Sequence, residues 1–174
     1  MFTTYDHFEM QPEVKEISLG QSARIYPTKL MRYWIAGNLI PFGRDTEIAE
    51  IGTGRGEMKY WVDNLDTSSY ALWDGYDVAT NSWLEKARYS NRFYGDVTTA
   101  DWKPRKQYDC LILLHFLEHL HNPEVFIEKV APYVKQGGVI VGGMPSTPTF
   151  LISAYERKMR KKASEFGHVS AFSA

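Results

Sequence analysis

Two clusters in this 174-residue sequence hold side chains able to do chemistry. The first is Glu50-x-Gly52-Thr53-Gly54-x-Gly56, which closes the short apolar run Thr46–Ile51. Glycine permits positive φ and lets the backbone approach a ligand with no side chain in between. Glu50 stands two residues before the first glycine, where it would repel a pyrophosphate; it suits a ligand carrying an ammonium or sulfonium charge. The second cluster is His115-x-x-Glu118-His119, after the apolar run Asp109–Leu114. Histidine has the unperturbed pKa best suited to proton transfer near neutral pH. That makes His119 the general-base candidate, with Glu118 beside it. The i, i+3, i+4 spacing puts His115, Glu118 and His119 on one face of a helical turn. A divalent ion is an alternative occupant there, with His168 as a distant fourth ligand. A structural role, in which Glu118 and His119 only bond to neighbouring loops, is the other alternative.

The elements that must position these residues alternate between strand and helix. Thr46–Ile51 reads as a first strand, and Met58, Tyr60, Trp61, Val62 and Leu65 give Glu57–Leu65 helical character. Strand, glycine turn and helix form a cradle for a nucleoside-like ligand at the carboxyl end of a sheet. A dinucleotide fingerprint needs a glycine where Glu57 stands, and the Gly-Lys-Ser/Thr of a triphosphate loop is missing. Before the first strand, Pro27–Asn38 reads as a helix with Leu30, Met31, Trp34 and Ile35 as its apolar face. After the cradle come a strand at Tyr70–Tyr76, a helix at Asn81–Tyr89 and a short strand at Arg92–Tyr94. Asp109–Leu114 is apolar enough for a central strand covered on both faces. Pro123 opens a helix to about Val134, closed by Gly137-Gly138, and Val139–Gly142 is the fifth strand. A basic helix from about Thr149 to Phe166 follows. The fold class is therefore α/β, a doubly wound, mostly parallel sheet of about five strands.

Two more carboxylates sit where such a ligand would need them. A carboxylate at the end of the second strand can accept hydrogen bonds from both ribose hydroxyls; Asp77 and Asp74 both qualify. Gly95-Asp96-Val97 follows the third strand, and Asp96 is either a ligand contact or the cap of a short helix around Thr98–Trp102.

In order along the chain, Glu-x-Gly-x-Gly-x-Gly, Gly75-x-Asp77, Gly95-Asp96-Val97 and Leu117-Glu118-His119-Leu120 with Asn122-Pro123-Glu124 resemble the motifs of the class I S-adenosylmethionine (SAM) methyltransferases. Within that family they are similar to the large group that includes ubiquinone-biosynthesis O-methyltransferases; the resemblance runs from about Ile25 to Ala174. It implies SAM contacts at Glu50, Gly52, Thr53, Gly54, Gly56, Asp77, Val78, Gly95, Asp96, Val97 and His115. It favours Asp77 over Asp74 for the ribose and puts Glu118 and His119 at the acceptor pocket. The activity it implies is methyl transfer to an oxygen, or secondly a nitrogen, of a small molecule. Some relatives hold a metal with Glu-x-x-Glu-His; here His115 replaces the first glutamate, and no metal site is assigned. A noncatalytic SAM-binding or scaffold subunit and an RNA 2′-O-methyltransferase are the alternative functions.

Composition frames these expectations. Apolar residues make up 44%, charged residues 24%, and the net charge is −1, a globular balance with no overall basic footprint for nucleic acid. Arg157, Lys158, Arg160, Lys161 and Lys162 form a local basic run that could attract RNA, an acidic substrate or an anionic membrane face; a solvated helix side is the plainer reading. The single Cys110 lies in an apolar run, so a disulfide framework is excluded and a cytoplasmic location is expected. Residues 1–20 read as an arm or short helix and 21–174 as the SAM-binding domain, which reads as shortened at its C-terminus. The seven-stranded family sheet closes with a hairpin after the fifth strand, and none is read here. The fifth strand is then an edge open to a partner chain or a second copy.

Overall fold

The computed structural model describes residues 27–64, 69–78 and 87–144, together with the backbone of 146–147 and 172–173; at 27–30 it describes the backbone alone. Helix α1 (Pro27–Leu39) leads into strand β1 (Glu47–Ile51), the glycine turn and helix α2 (Glu57–Asn64). Strands β2 (Leu72–Asp77), β3 (Asn91–Tyr94) and β4 (Tyr108–Leu114) follow, then a 3₁₀ turn at Leu117–His119 and helix α3 (Pro123–Val130). A second 3₁₀ turn at Ala131–Tyr133 leads into β5 (Val134–Gly143). β6 (Ser146–Thr147) and β7 (Phe172–Ser173) pair in parallel as a separate two-stranded sheet. The N-terminal arm, the helix expected from Asn81, the basic helix and His168 lie outside the described residues.

The main sheet has the order β3-β2-β1-β4-β5, and every pairing is parallel. Parallel strands need crossovers that cover both faces, which is why β1 and β4 are buried almost throughout. Alternation divides the core in two. Ile48, Trp73, Cys110, Ile112 and Val141 face α1 and α2, whereas Ala49, Ile51, Tyr76, Leu111 and Leu113 face α3. Strand order reverses between β1 and β4, so a crevice opens beyond their carboxyl ends.

Several local expectations change. Met31 is 60% exposed and Trp34 59%, and Ile35 is exposed too; α1 packs instead through Tyr33 and Ala36, with Ile40 just beyond its end. Asp77 is the last residue of β2 rather than lying beyond it. Ala87–Tyr89 is not helical, and turns replace the helix considered at Thr98–Trp102. Gly137-Gly138 lies inside β5 instead of ending a helix, where the pairing shifts register between Tyr108 and Cys110. Lys135 anchors the early start of β5 by ion pairs to Glu47 and Asp109, both at 2.9 Å. Among the described residues β5 pairs only with β4 in this sheet.

Candidate active site

The glycine turn is shaped by backbone bonds to the neighbouring strand. Gly52 N and Thr53 N donate to Tyr76 O at 2.9 and 3.4 Å, and Gly56 N donates to Thr53 O at 2.8 Å. Gly52 has φ +74°, and a Cβ there would sit 2.4 Å from the Phe116 ring. Gly54 has φ +51° and nothing within 4 Å of a Cβ position, so its open side faces space that a ligand can use. Gly56 differs from expectation: a Cβ there would meet Ala87 at 2.7 Å and Tyr89 at 2.9 Å. Its smallness serves packing, and it does not line the cavity.

Asp77 binds the turn directly. Its Oδ2 accepts from Gly54 N at 2.6 Å and from Thr53 Oγ1 at 3.2 Å. Asp74 is engaged elsewhere, accepting from Asn91 Nδ2 at 2.8 Å and Tyr108 Oη at 2.9 Å on the other face of the sheet. Gly95 N donates to Asp77 O at 3.0 Å, which brings the β3 exit to the same rim. There Asp96 is exposed and its Oδ1 accepts from Thr98 N and Thr98 Oγ1, a local turn. Val78 is exposed and Val97 is part of the core; neither lines the cavity described next.

A cavity of about 380 Å³ opens at the β1–β4 crevice, within the ~300–1,000 Å³ usual for small-molecule sites. Glu50, Gly52, Thr53 and Gly54 line it from the β1 side, and His115, Glu118 and His119 from the β4 exit. Arg32, Tyr33, Arg55, Glu57, Met58 and Leu114 complete the wall. The sequence reading missed these last six; for Arg32 and Tyr33 the reason is that a helix gives no local signal of where it will dock. Tyr33 Oη donates to Glu57 Oε2 at 3.1 Å and so ties α1 to the start of α2.

The cavity's electrostatics are those of buried acids. Burial pushes the Glu50 carboxyl up to about 8, although Tyr89 Oη donates to its Oε2 at 2.8 Å and Lys59 adds a favourable charge. The Trp73 indole N–H also works to lower it, yet Nε1 has no partner at hydrogen-bond geometry. Tyr89 is therefore its direct donor among the described residues. Glu118 is buried as well; burial acts to raise its carboxyl, and the hydrogen bonds from His115 and its own backbone outweigh that, so it lies below the usual range. Its Oε2 is buried with no partner. Such an orphan acceptor is costly unless a ligand supplies a donor. No grouping of three or more His, Cys, Asp or Glu that could hold a metal ion occurs among the described residues.

A family model described as "Methyltransferase domain" matches residues 23–174. A curated relative, the mRNA cap guanine-N(7) methyltransferase of Cryptococcus neoformans, is 24% identical over 192 aligned positions, covering 94% of this chain. This chain spans only 30% of that relative's length. An O-methyltransferase family protein from Burkholderia thailandensis has a similar structure, with TM-score 0.64 and 14% identity over 87% of this chain and 48% of that one. The plantazolicin methyltransferase BpumL, solved with S-adenosylhomocysteine (SAH), gives TM-score 0.62 and 19% identity over 95% of this chain and 67% of its own. At those identities the likeness to the solved structures is one of fold. No helix among the described residues is long and apolar enough to cross a membrane. By its family match the chain belongs to the methyltransferase-domain family, whose cofactor is S-adenosylmethionine.

Proposed function

We propose that this chain binds SAM in the β1–β4 crevice and transfers its methyl group to an oxygen, ahead of a nitrogen, of a small molecule. The observation that carries the reading is the shared cavity, which joins the glycine turn and Glu50 to His115, Glu118 and His119. Its chemistry fits the cofactor. Glu118 offers a buried carboxylate for the ammonium, Glu50 becomes one when a cationic ligand favours its ionised form, and the open side of Gly54 admits a nucleoside beside Asp77. Asp77 at the β2 terminus is the ribose ligand, and Gly95 and Asp96 at the β3 exit flank the adenine. Gly56, Val78 and Val97 support that rim without lining the cavity. The bound cofactor supplies an activated methyl for in-line displacement; the protein positions the partners and accepts a proton. His119, partly exposed on the cavity wall, is the group for that proton. The preference for a small oxygen acceptor rests on the resemblance of Leu117–Leu120 and Asn122–Glu124 to the ubiquinone-pathway group.

A second reading, methylation of RNA or a nucleotide, is favoured by the cap-methyltransferase relative. Calorimetry with SAH followed by a radiolabelled methyl-transfer screen tests both. Label in small metabolites is the expected result, and label in RNA would favour the second reading. SAH binding without transfer would leave a binding subunit, and absence of SAH binding would end all three.

A further inference from the structure

His115 is the one non-glycine residue with positive φ among the described residues, at +52°. That left-handed turn costs backbone energy in an L-residue. It follows directly on β4, and the His115 N–H donates to Gly143 O at 2.7 Å. The ring then stands between two charged groups. Nε2 lies 2.9 Å from Arg32 Nη1 of α1, and Nδ1 lies 3.1 Å from Glu118 Oε1.

These two distances fix the proton. A guanidinium stays charged and can only donate, so Nε2 accepts from Arg32. A neutral imidazole carries one N–H, which must then sit on Nδ1 and donate to Glu118 Oε1. The other tautomer, or a charged ring, would set N–H against N–H at Arg32. The 3.1 Å contact to Glu118 is therefore a hydrogen bond from a neutral ring and not an ion pair. With Oε1 taken, the buried Oε2 is left as an acceptor that no group among the described residues fills. Arg32 and Glu118, a cation and an anion held across one imidazole, both line the cavity. An α-amino acid carries the complementary pair, an ammonium and a carboxylate on one carbon.

We propose that Arg32 is a positioning residue that locks His115 as the neutral Nδ1–H tautomer. His115 in turn braces Glu118 so that Oε2 receives the ammonium of the cofactor's amino-acid end, while the remaining Arg32 N–H groups face its carboxylate. This rests on SAM being the ligand. With both ring nitrogens committed, His115 is not the base, and the proton-accepting role stays with His119.

Long-range ¹H–¹⁵N spectra of the labelled, ligand-free protein read the His115 tautomer without any cofactor. The expected pattern is Nδ1–H with a bare Nε2 in the wild type and in Arg32→Lys, which keeps a donor; in Arg32→Met, Glu118 still holds Nδ1–H and Nε2 is free to take a second proton, giving a ring with N–H on both nitrogens. An Nε2–H or charged ring in the wild type would overturn the inference and leave the SAM reading untouched. Calorimetry then compares SAH with 5′-methylthioadenosine, which lacks the amino-acid end. Arg32→Met and Glu118→Gln are each expected to weaken SAH about 30-fold, as for a lost charged hydrogen bond, with methylthioadenosine changed less than threefold. Equal losses for both ligands, or no loss for SAH, would overturn the clamp. A wild type that ignores both ligands would sink the cofactor reading, while the tautomer would still be decided by the spectra.

Discussion

Asp74 and Asp77 lie three residues apart on β2, both buried, and therefore on opposite faces of the sheet. On Asp74's face the polar groups close on themselves. Arg105 N donates to Tyr76 Oη, Tyr76 Oη to Tyr108 Oη, and Tyr108 Oη to Asp74 Oδ2, while Asn91 Nδ2 donates to Asp74 Oδ1. The direction is forced, because Tyr108 spends its one proton on the carboxylate. On Asp77's face, at the carboxyl rim, the acids do not close. Glu50 is buried with its ionisation pushed up to about 8, and Glu118 keeps an oxygen with no donor. The same residue types make a finished scaffold on one side and an incomplete, ligand-seeking wall on the other. Burial alone does not tell them apart; hydrogen-bond completion does.

The largest expected effect separates the two faces. Asp74→Ala strands the Tyr108 hydroxyl and the Asn91 amide in the core and is expected to cost about 3 kcal/mol of unfolding free energy. SAH affinity of the folded fraction should stay within threefold. Asp77→Ala is expected to do the reverse, weakening SAH about 100-fold, near 2.7 kcal/mol, with about 1 kcal/mol of stability lost through Gly54 and Thr53. Denaturant unfolding beside calorimetry measures both; matching profiles for the two variants would erase the distinction.

Glu50 gives the next effect, through pH. Its unfolded-state carboxyl titrates near 4.5 and its folded one near 8. The folded protein therefore binds more protons between those values, and stability falls as pH rises. From pH 5.5 to 7.5 the loss for the ligand-free protein should be on the order of 2 kcal/mol, and Glu50→Gln should remove that slope. A cationic ligand favours the ionised form, so SAM binding near pH 7 should release close to one proton, read by calorimetry in buffers of different ionisation enthalpy. Unchanged slope and proton count in the Gln variant would place the titration elsewhere.

Much of this was legible in the chain, for reasons that can be named. The run Cys110–Leu114 announces a buried parallel strand by its unbroken apolarity, Thr46–Ile51 does so through Ile48, Ala49 and Ile51 despite two glutamates, and Gly52, Gly54 and Gly56 mark a turn that requires positive φ. Local chemistry singled out Glu118 and His119, which line the cavity, but it left Asp74 and Asp77 both open, and only the family resemblance favoured Asp77. What stayed hidden depends on docking. The apolar stripe of α1 suggested the wrong buried face: Tyr33 packs in the core and bonds to Glu57 at once, while Met31 and Trp34 stay exposed. Arg32 has no sequence feature that points to His115, 83 residues away. Gly137-Gly138 read as a helix stop because the Lys135 anchors that begin β5 early are long-range ion pairs.

The smallest effect isolates the space itself. Among the turn glycines, Gly54 has a φ of +51°, inside the left-handed region that L-residues can occupy at modest cost, and no atom lies near its Cβ position. Gly54→Ala should therefore cost only about 1 kcal/mol of stability. Gly52→Ala should cost more, since its methyl would strike the Phe116 ring, which is itself packed on Phe126. If the open side of Gly54 is where the nucleoside lies, its methyl must still weaken SAH, about tenfold, because close backbone approach is what the missing side chain permits. Alanine at Gly54 that leaves SAH affinity intact would mean that the turn is open there for no ligand. Asp77 would then stand with Asp74 as scaffold.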